Sequence, residues 1–251
     1  MDRGYQYEFS ALNGAMFDVV GRTRKAETML RVLADFAGER LGTMTLLNVG
    51  GSAGIIDNHL AERVGRVVGI DIDAQAIRFA QERYQRPNLE FRLGDAMALD
   101  YPDGSFDAVV CSQVYEHVPD AAKMMREIFR VLKPGGVCYF AASNRLMWNE
   151  PHYNLPLLSV LPRALAHRYV RWAGKADHYH ELHFSYWGLR RLVAPFRLHD
   201  YTRRMARDPA AFGVDYMIPA TGPRHALVNL VATVAYWLMP GYIWLLEKPR
   251  A

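Results

Sequence analysis

Short apolar runs alternate with stretches of helical periodicity through residues 24–143 of the 251-residue chain. A strand followed by a helix of this length pairs in parallel with the next strand through a crossover, which places the helix on one face of the sheet. The alternation therefore predicts an open, doubly wound α/β sheet that holds its ligands at the carboxyl ends of the strands. The predicted helices cover residues 24–37, 55–63, 74–84 and 121–132. The predicted strands cover residues 44–49, 66–72, 88–93, 106–111 and 137–142.

The alternation ends after residue 143, where prolines, aromatic residues and histidines become frequent. Residues 162–172 and 185–193 are predicted helices, the second with Ser185 as its N-cap. Residues 196–204 and 242–248 are predicted closing strands, with a long apolar helix between them. The sequence predicts one domain with four parts: an N-terminal helical cap at 1–43, a core at 44–143, an insertion with a helix at 144–194, and closing strands with an apolar helix at 195–251.

Composition narrows the class of partner and the compartment. The net charge is +4 at pH 7 and the sequence holds neither a zinc-finger nor an RRM pattern, so nucleic-acid binding is not expected. Cys111 and Cys138 lie inside predicted strands, which indicates buried thiols rather than a disulfide framework and fits a reducing cytosol. The opening residues lack the charged-then-apolar layout of a secretory signal. We therefore expect a cytoplasmic protein.

A glycine-rich turn follows the first predicted strand, in the sequence LLNVGGSAG at residues 46–54. Glycines let a backbone turn sharply and approach a ligand where a Cβ would intrude. Asp71 ends the next strand, 21 residues beyond Gly50, where a carboxylate can accept hydrogen bonds from both ribose hydroxyls. The dinucleotide pattern G-x-G-x-x-G fails in both registers, because its later positions fall on serine, alanine and isoleucine. The turn predicts a nucleotide site of another class.

Residues 48–54 resemble the acidic-x-G-x-G-x-G motif of class I, Rossmann-like S-adenosylmethionine-dependent methyltransferases. Asn48 stands where the motif has an acid, and Ser52 stands at its middle glycine. Four further landmarks of the type 11 methyltransferase-domain family follow in order, at residues 93–96 (LGDA), 106–112 (FDAVVCS), 116–120 (EHVPD) and 130–136 (RVLKPGG). The resemblance, which covers residues 44–143, implies a seven-stranded sheet with six parallel strands and a last, antiparallel strand. It places the helical and loop insertion between strands five and six.

The resemblance also implies the cofactor, S-adenosylmethionine, and its product, S-adenosylhomocysteine. In the family, an acid in the loop after strand three accepts from the adenine amino group, and the next backbone N–H meets the ring. These roles fall on Asp95 and Ala96. The cofactor-binding residues that the resemblance implies are Asn48, Gly50, Gly51, Ser52, Gly54, Asp71, Ile72, Asp95, Ala96, Ser112 and Gln113.

Methyl transfer from a sulfonium is a direct displacement, so the protein mainly aligns the acceptor and handles its proton. Histidine is the usual base for a hydroxyl acceptor, because its pKa lies near neutrality. His117 follows strand four, where it either acts as the base or shapes the loop, and a dense titratable cluster occupies residues 177–183 (DHYHELH). Its His-x-His could hold a metal, but we expect no metal centre and assign these side chains to the acceptor pocket or to loop contacts. The candidate catalytic residues are His117, His178, His180 and His183, and the candidate substrate-binding residues are Glu150, His152 and Tyr153.

The acceptor is less constrained than the cofactor. The insertion and the end of the chain resemble, more loosely, methyltransferases of bacterial polysaccharide, glycolipid and secondary-metabolite pathways, through residues 144–145, 150–156 and 244–249. This resemblance implies a small-molecule acceptor, methylated on a hydroxyl of a sugar, glycolipid or related metabolite. Two alternatives stay open: an N- or C-methyltransferase, and a non-catalytic protein of this fold that acts as a partner or membrane adaptor. Asn48 and Ser52 keep the second one open.

Residues 226–246 carry no charge over 21 positions, which meets the length rule for a membrane span. Pro240-Gly241 breaks the run, however, and the preceding segment is predicted to be an amphipathic helix. Its apolar face, opposite Asn229, Thr233 and Tyr236, holds Leu227, Leu230, Val231, Val234 and Leu238. We expect this helix to pack on the domain or to form a homodimer contact, with peripheral membrane association as the alternative.

Overall fold

The structure is a computed structural model that describes residue 7 and residues 14–250. Residues 1–6 and 8–13, which belong to the predicted N-terminal cap, lie outside the described residues, as does residue 251. The strands are β1 (Thr45–Val49), β2 (Arg66–Asp71), β3 (Leu89–Leu93), β4 (Phe106–Ser112), β5 (Leu132–Ser143), β6 (Asn149–Glu150), β7 (Leu155–Pro156), β8 (Arg197–Asp200) and β9 (Gly241–Glu247). The α-helices are α1 (Val19–Ala37), α2 (Ile55–Leu60), α3 (Ala74–Arg83), α4 (Ala121–Val131), α5 (Arg163–Trp172), α6 (Tyr186–Leu192), α7 (Tyr201–Arg207) and α8 (Pro223–Val234). Short 3-10 turns cover Gly14–Phe17, Gly38–Thr43, Leu158–Val160 and Tyr236–Leu238.

Seven strands form one mixed sheet in the order β3-β2-β1-β4-β5-β9-β8. Strands β1 to β5 pair in parallel, and β9 runs antiparallel to both β5 and β8. Because β8 therefore points the same way as β1 to β5, the sheet has six parallel strands and one antiparallel strand. The insertion between β5 and β8 carries the β6–β7 hairpin, α5 and α6. The predicted fold class is confirmed.

Helices cover both faces of the sheet because the strands are apolar on both sides. Within β4, Val109 and Cys111 lie in one core cluster, while Ala108 and Val110 lie in the other. The first core includes residues of α4, α6 and α8, and the second includes residues of α1, α2 and α7. Each fully buried leucine or valine side chain contributes roughly 1.5–3 kcal/mol of hydrophobic stabilisation. Both cysteines are buried free thiols, as predicted.

Two element boundaries in the core differ from the predicted ones because local hydrogen bonds fix them elsewhere. Helix α1 begins at residue 19 rather than 24, since the Asp18 side chain caps it by accepting from the Gly21 N–H at 3.1 Å. Strand β5 begins at Leu132, because the predicted breaker pairs with the end of the chain instead of leaving the sheet. Its Gly135 N–H donates to the Lys248 carbonyl at 2.9 Å.

The predicted closing strand over residues 196–204 is wrong in its second half. Strand β8 ends at Asp200, whose side chain accepts a hydrogen bond from the Arg203 N–H at 3.1 Å and so begins α7. Ser185 occupies the N-cap position of α6 as predicted, but its side chain makes no capping hydrogen bond.

Helix α8 packs on the domain through Val228, Val231 and Ala232, but part of its predicted apolar face is exposed. Its side chains Leu227, Leu230 and Val234 are 60%, 56% and 70% exposed. Asn229 of the predicted polar face lies inward, where its side chain donates to the Ala206 carbonyl at 2.8 Å. Ala206 lies in the last turn of α7, whose carbonyls lack partners within the helix. Helix α8 therefore places the side-chain amide of Asn229 beside them. Among the described residues, no helix is long and apolar enough to cross a bilayer.

Candidate active site

Four parallel strands deliver the predicted cofactor-binding residues to one edge of the sheet. Strand β1 lies between β2 and β4, so the strand order reverses there, and open α/β sheets bind ligands beside such a point. All of the predicted cofactor-binding residues lie in the last residues of β1, β2 and β4 or in the loops that follow β1 to β4. The sheet therefore brings the whole predicted set together.

The glycine turn after β1 requires glycine at two positions. Gly50 and Gly54 have φ of +73° and +74°, in the left-handed region that side chains disfavour. A Cβ on Gly50 would lie 2.6 Å from a methyl carbon of Val114, and one on Gly54 would lie 2.7 Å from the Phe91 ring. Ser52 has φ of +51°, so the serine at the motif's middle position keeps a glycine-like backbone. The turn is held tightly between the loop after β4 and strand β3.

Asp71 joins the glycine turn to the end of β2. Its two carboxylate oxygens accept hydrogen bonds from the backbone N–H groups of Ser52 and Asp73, at 2.8 and 2.9 Å. Burial raises the pKa of Asp71, and these backbone hydrogen bonds oppose the shift. Each carboxylate oxygen keeps a second lone pair, so Asp71 can still accept from a ribose hydroxyl. The geometry fits the predicted contact.

Asp57, which sequence reasoning missed, lies beneath the glycine turn. It is fully buried on α2, and a Cβ on Gly51 or Gly69 would lie 2.8 Å from one of its oxygens. Burial raises the pKa of Asp57 to about 7, while contact with the Asn48 side chain and the charge of Arg22 oppose the shift. An acid is thus present beside Asn48, supplied by α2 instead of β1. The signal in the sequence was an aspartate among apolar residues in the helix that follows the turn.

The residues that are predicted to contact adenine, and those at the end of β4, are half-buried beside the same edge of the sheet. Asp95 follows β3, and its Oδ1 accepts from the Met97 N–H at 2.7 Å, which holds the acid in a local turn. Gln113 follows β4 with φ of +58°, and its Oε1 accepts from the Ser143 hydroxyl at 2.7 Å. Their contacts with a cofactor stay predictions, as do those of Ile72, Ala96 and Ser112.

The insertion brings a second polar group to the loop after β4. The backbone N–H of Leu182, in the insertion, donates a hydrogen bond to the Glu116 carbonyl of that loop at 3.0 Å. Glu150 Oε1 lies 2.6 Å from His152 Nδ1 and 3.3 Å from His183 Nε2. The rings of His117 and His152 meet edge to face, with centroids 4.8 Å apart. We define the acceptor-side cluster as Glu116, His117, Glu150, His152, Glu181 and His183.

Burial and mutual contact set the protonation of this cluster. Burial raises the pKa of Glu116 to about 6. For Glu150 burial acts in the same direction, but hydrogen bonds from His152 and His183 outweigh it and lower the pKa to about 2. Burial alone would lower the pKa of His152, but its hydrogen bond to Glu150 raises that pKa overall. The cluster therefore combines a carboxylate that stays ionised with one whose pKa lies near neutrality.

Two of the predicted histidines lie outside the cluster. His178 and His180 are exposed, whereas Glu181 and His183 are buried. Exposed and buried side chains alternate from residue 178 to residue 181, and the His-x-His pair faces solvent. Tyr153 meets this segment at its backbone, where its hydroxyl donates to the His178 carbonyl at 3.3 Å. The structure thus brings His117 and His183 together with Glu150 and His152, and it adds Glu116 and Glu181, which were not among the predicted site residues.

Known proteins resemble this chain in both sequence and fold. A family model for a methyltransferase domain matches residues 47–140. The chain is 35% identical over 150 residues to a ubiquinone biosynthesis O-methyltransferase of Albidiferax ferrireducens, across 55% of this chain and 57% of that protein. It is 30% identical over 207 residues to a ubiquinone biosynthesis O-methyltransferase of Ralstonia nicotianae, across 78% of this chain and 74% of that protein. A chain from the complex of the Haloferax volcanii Trm112 methyltransferase activator with a methyltransferase shares the fold, with a TM-score of 0.61 at 19% identity over 98% of this chain and 99% of that one.

These similarities define the class of protein. The chain belongs to the class I S-adenosylmethionine-dependent methyltransferases, as its motifs predicted. It spans 57% of the A. ferrireducens relative and 62% of a ubiquinone biosynthesis O-methyltransferase of Pseudomonas fluorescens. S-adenosylmethionine is the cofactor of the family, and the glycine turn with Asp71 fits its nucleoside.

The raised pKa of Asp57 makes stability depend on pH. The pKa of Asp57 rises from 3.8 to about 7 on folding. The protonated Asp57 carboxyl therefore contributes its full stabilisation of the folded protein below about pH 4, and this contribution is lost as the pH rises through 7. Asp57→Asn removes the cost of ionising this buried carboxyl. We expect the free energy of unfolding of the variant, relative to that of the unmodified protein, to rise between pH 5 and pH 8 by up to about 2.7 kcal/mol, because about two pH units of this window lie below the folded pKa.

Urea unfolding at the two pH values measures this difference. Asp100→Asn, at an exposed aspartate, is the matched control and should show no such change. An Asp57→Asn protein with the same pH dependence as the unmodified chain would contradict the assignment.

Proposed function

We propose that this protein transfers a methyl group from S-adenosylmethionine to a hydroxyl of a small-molecule acceptor. The proposal depends on one observation: the predicted cofactor-binding residues and the acceptor-side cluster lie at the same edge of the sheet. The glycine turn with Asp71 and the acceptor-side cluster both lie at the carboxyl ends of the strands, and both reach the loop after β4. The names of the relatives, which are O-methyltransferases, support oxygen as the acceptor atom.

S-adenosylmethionine supplies an activated methyl group, so the chain's own residues bind, orient and move a proton. The glycine turn would let the backbone approach the cofactor, and Asp71 would accept from the ribose. Asp95 lies in the loop after β3, where it would meet the adenine amino group. Arg22 interacts electrostatically with Asp57 and Asp71, so it offers a positive charge near the turn for the cofactor's carboxylate.

His117 is the proposed general base. Its side chain is 15% exposed, whereas that of His183 is fully buried and would not meet an acceptor. Glu181 Oε1 lies 3.8 Å from His117 Nδ1, where it would orient the ring and stabilise the imidazolium that forms. His152 packs edge-on against His117 and is a positioning residue in this scheme.

The proposed acceptor class is a hydroxyl of a sugar, glycolipid or secondary metabolite. A nitrogen or carbon acceptor makes less use of a histidine held beside carboxylates, so the cluster favours oxygen. The non-catalytic alternative depended on Asn48 and Ser52. Its support weakens, because Ser52 keeps the glycine-like backbone and Asp57 places an acid beside Asn48.

Cofactor binding is the first test. Asp71→Ala removes a charged acceptor of hydrogen bonds worth about 1.5–3 kcal/mol, so we expect S-adenosylmethionine and S-adenosylhomocysteine to bind roughly 10–150-fold more weakly. Isothermal calorimetry measures both affinities, with the exposed Asp100→Ala as a control that keeps them. Absence of binding to the unmodified protein, or equal binding by Asp71→Ala, would remove the proposal.

The role of His117 is tested by turnover. A labelled-methyl assay across candidate hydroxyl acceptors should show kcat falling by about 10²–10⁴-fold in His117→Ala, because the acceptor proton loses its base. Cofactor affinity should stay unchanged, and the acidic limb of the pH–rate profile should disappear. His199→Ala, at a histidine paired with Glu247 on the far strands, is the matched control. A His117→Ala enzyme with normal kcat and an unchanged pH profile would eliminate the general-base model.

We also propose that the outward face of α8 contacts an anionic lipid surface. The face presents Leu227, Leu230 and Val234 to solvent. Arg203 and Arg207 of α7 line a groove together with residues of α8, so positive charge borders the apolar stripe. An amphipathic helix with this pattern binds membranes through apolar burial and attraction to anionic headgroups. Such contact would bring the enzyme to an amphiphilic acceptor.

Vesicle sedimentation tests this contact. Leu227→Ser/Leu230→Ser should lose binding to vesicles of phosphatidylglycerol and phosphatidylcholine, whereas Leu93→Ser, at an exposed leucine on the opposite edge strand, should retain it. Equal binding by both variants would contradict the proposal. A concentration-dependent dimer that the double variant disrupts would instead assign the face to a homodimer contact.

A further inference from the structure

Three side chains of the insertion direct their donor atoms toward one point. Glu150 Oε1, His152 Nδ1 and His183 Nε2 all lie within 4.8 Å of one another. Glu150 and His183 have fully buried side chains, and that of His152 is mostly buried. The two imidazole rings lie nearly parallel, with planes 25° apart and centroids 6.3 Å apart. Two imidazole nitrogens and one carboxylate oxygen, all of which can bind a metal, therefore converge in a buried site.

The Glu150 carboxylate forms salt bridges with histidines. In the part of the chain that the structure describes, the salt-bridge partners of Glu150 are His152 and His183, which are positive only when protonated. The carboxylates of Glu116 and Glu181 are buried nearby. Several carboxylates out of water are costly unless positive charge accompanies them. A bound cation would supply that charge.

We propose that Glu150, His152 and His183 bind a divalent transition-metal ion. Two imidazole nitrogens and one carboxylate oxygen form a donor set typical of zinc and related ions with an open coordination position, whereas Mg²⁺ and Ca²⁺ favour oxygen ligands. The Glu150–His183 distance of 3.3 Å already matches the separation of about 3.3 Å between tetrahedral ligands at zinc. The 2.6 Å contact with His152 would open slightly on binding.

The supporting contacts of Glu150 agree with a ligand role. Its second oxygen, Oε2, accepts a hydrogen bond from the Tyr153 backbone N–H at 3.0 Å, which fixes the carboxylate and leaves Oε1 to face the imidazoles. Outer contacts of this kind orient metal ligands. This site departs from the absence of a metal centre expected from the sequence, which considered the His-x-His pair and not Glu150 with His152.

The location gives the ion a role, and this role rests on the proposed function. The ring of His152 packs against His117, the proposed base. An ion beside them would bind an acceptor oxygen at its open position and lower the pKa of that hydroxyl, as a Lewis acid does. The metal would thereby select acceptors whose hydroxyl can act as a ligand.

Metal binding is tested directly, without turnover. Protein dialysed against a chelator is titrated with ZnCl₂ by calorimetry and with CoCl₂ by visible absorption, and MgCl₂ serves as the contrasting ion. We expect one equivalent of Zn²⁺ or Co²⁺ per chain. Loss of an outer contact to a metal ligand typically weakens metal binding roughly 10–100-fold. We expect at least this loss of Zn²⁺ and Co²⁺ affinity in each of three variants that remove a ligand: His183→Ala, His152→Ala and Glu150→Gln. His178→Ala/His180→Ala removes two exposed imidazoles nearby and should leave the affinity unchanged.

Three results would overturn the site: no binding of either ion to the folded protein, undiminished binding in the His183→Ala and Glu150→Gln variants, or loss of binding in the His178→Ala/His180→Ala control. His152 also belongs to a second convergent group with His117 and Glu181, so loss of binding in Glu181→Gln but not in His183→Ala would also overturn it. Circular dichroism and S-adenosylhomocysteine binding confirm that each variant is folded. A protein that binds Zn²⁺ but not S-adenosylmethionine would keep this site and remove the proposed function.

Discussion

The parallel pairing of β1 with β2 on one side and β4 on the other is the interaction on which the rest of the structure depends. It places the carboxyl ends of three strands at one edge of the sheet, so the glycine turn, Asp71 and the loop after β4 meet there. The fit is tight, because a Cβ on Gly50 would overlap Val114. A shift of β1 by one residue would also exchange the side chains that face the two cores. One register therefore fixes both the hydrophobic cores and the cofactor edge.

Periodicity and glycine spacing predicted the sheet and the cofactor edge, because both are encoded in short stretches of sequence. The insertion was harder to predict since its contacts are long-range. The side-chain alternation that exposes His178 and His180 and buries His183 depends on how this segment docks on the loop after β4. The direction of α8 depends on the hydrogen bond from Asn229 to the Ala206 carbonyl of another helix, which no pattern within residues 223–234 reveals.

The asparagine at the acidic position of the family motif is explained by the neighbouring Asp57. Asp57 is buried beneath the turn, and the charge of Asp71 already raises its pKa. A further carboxylate at position 48 would add like charge in the same buried space, which disfavours ionisation of all three. A neutral amide avoids that repulsion, and contact with Asn48 instead favours the ionised form of Asp57. The amide in the strand and the acid in the helix therefore form one local solution.

The acceptor-side cluster shows how the insertion separates proton handling from cofactor binding. Its carboxyls are driven in opposite directions, because the histidines keep Glu150 ionised while burial brings the pKa of Glu116 to about 6. Pairs of groups whose pKa values are pushed apart by their surroundings mark sites of proton transfer or ligand binding more often than sites of stability. Burying these groups costs folding free energy, and the sheet does not need them for its own packing. Four of the six cluster residues come from residues 144–194 and two from the loop after β4, whereas the cofactor edge is built by the strands and the loops that follow them.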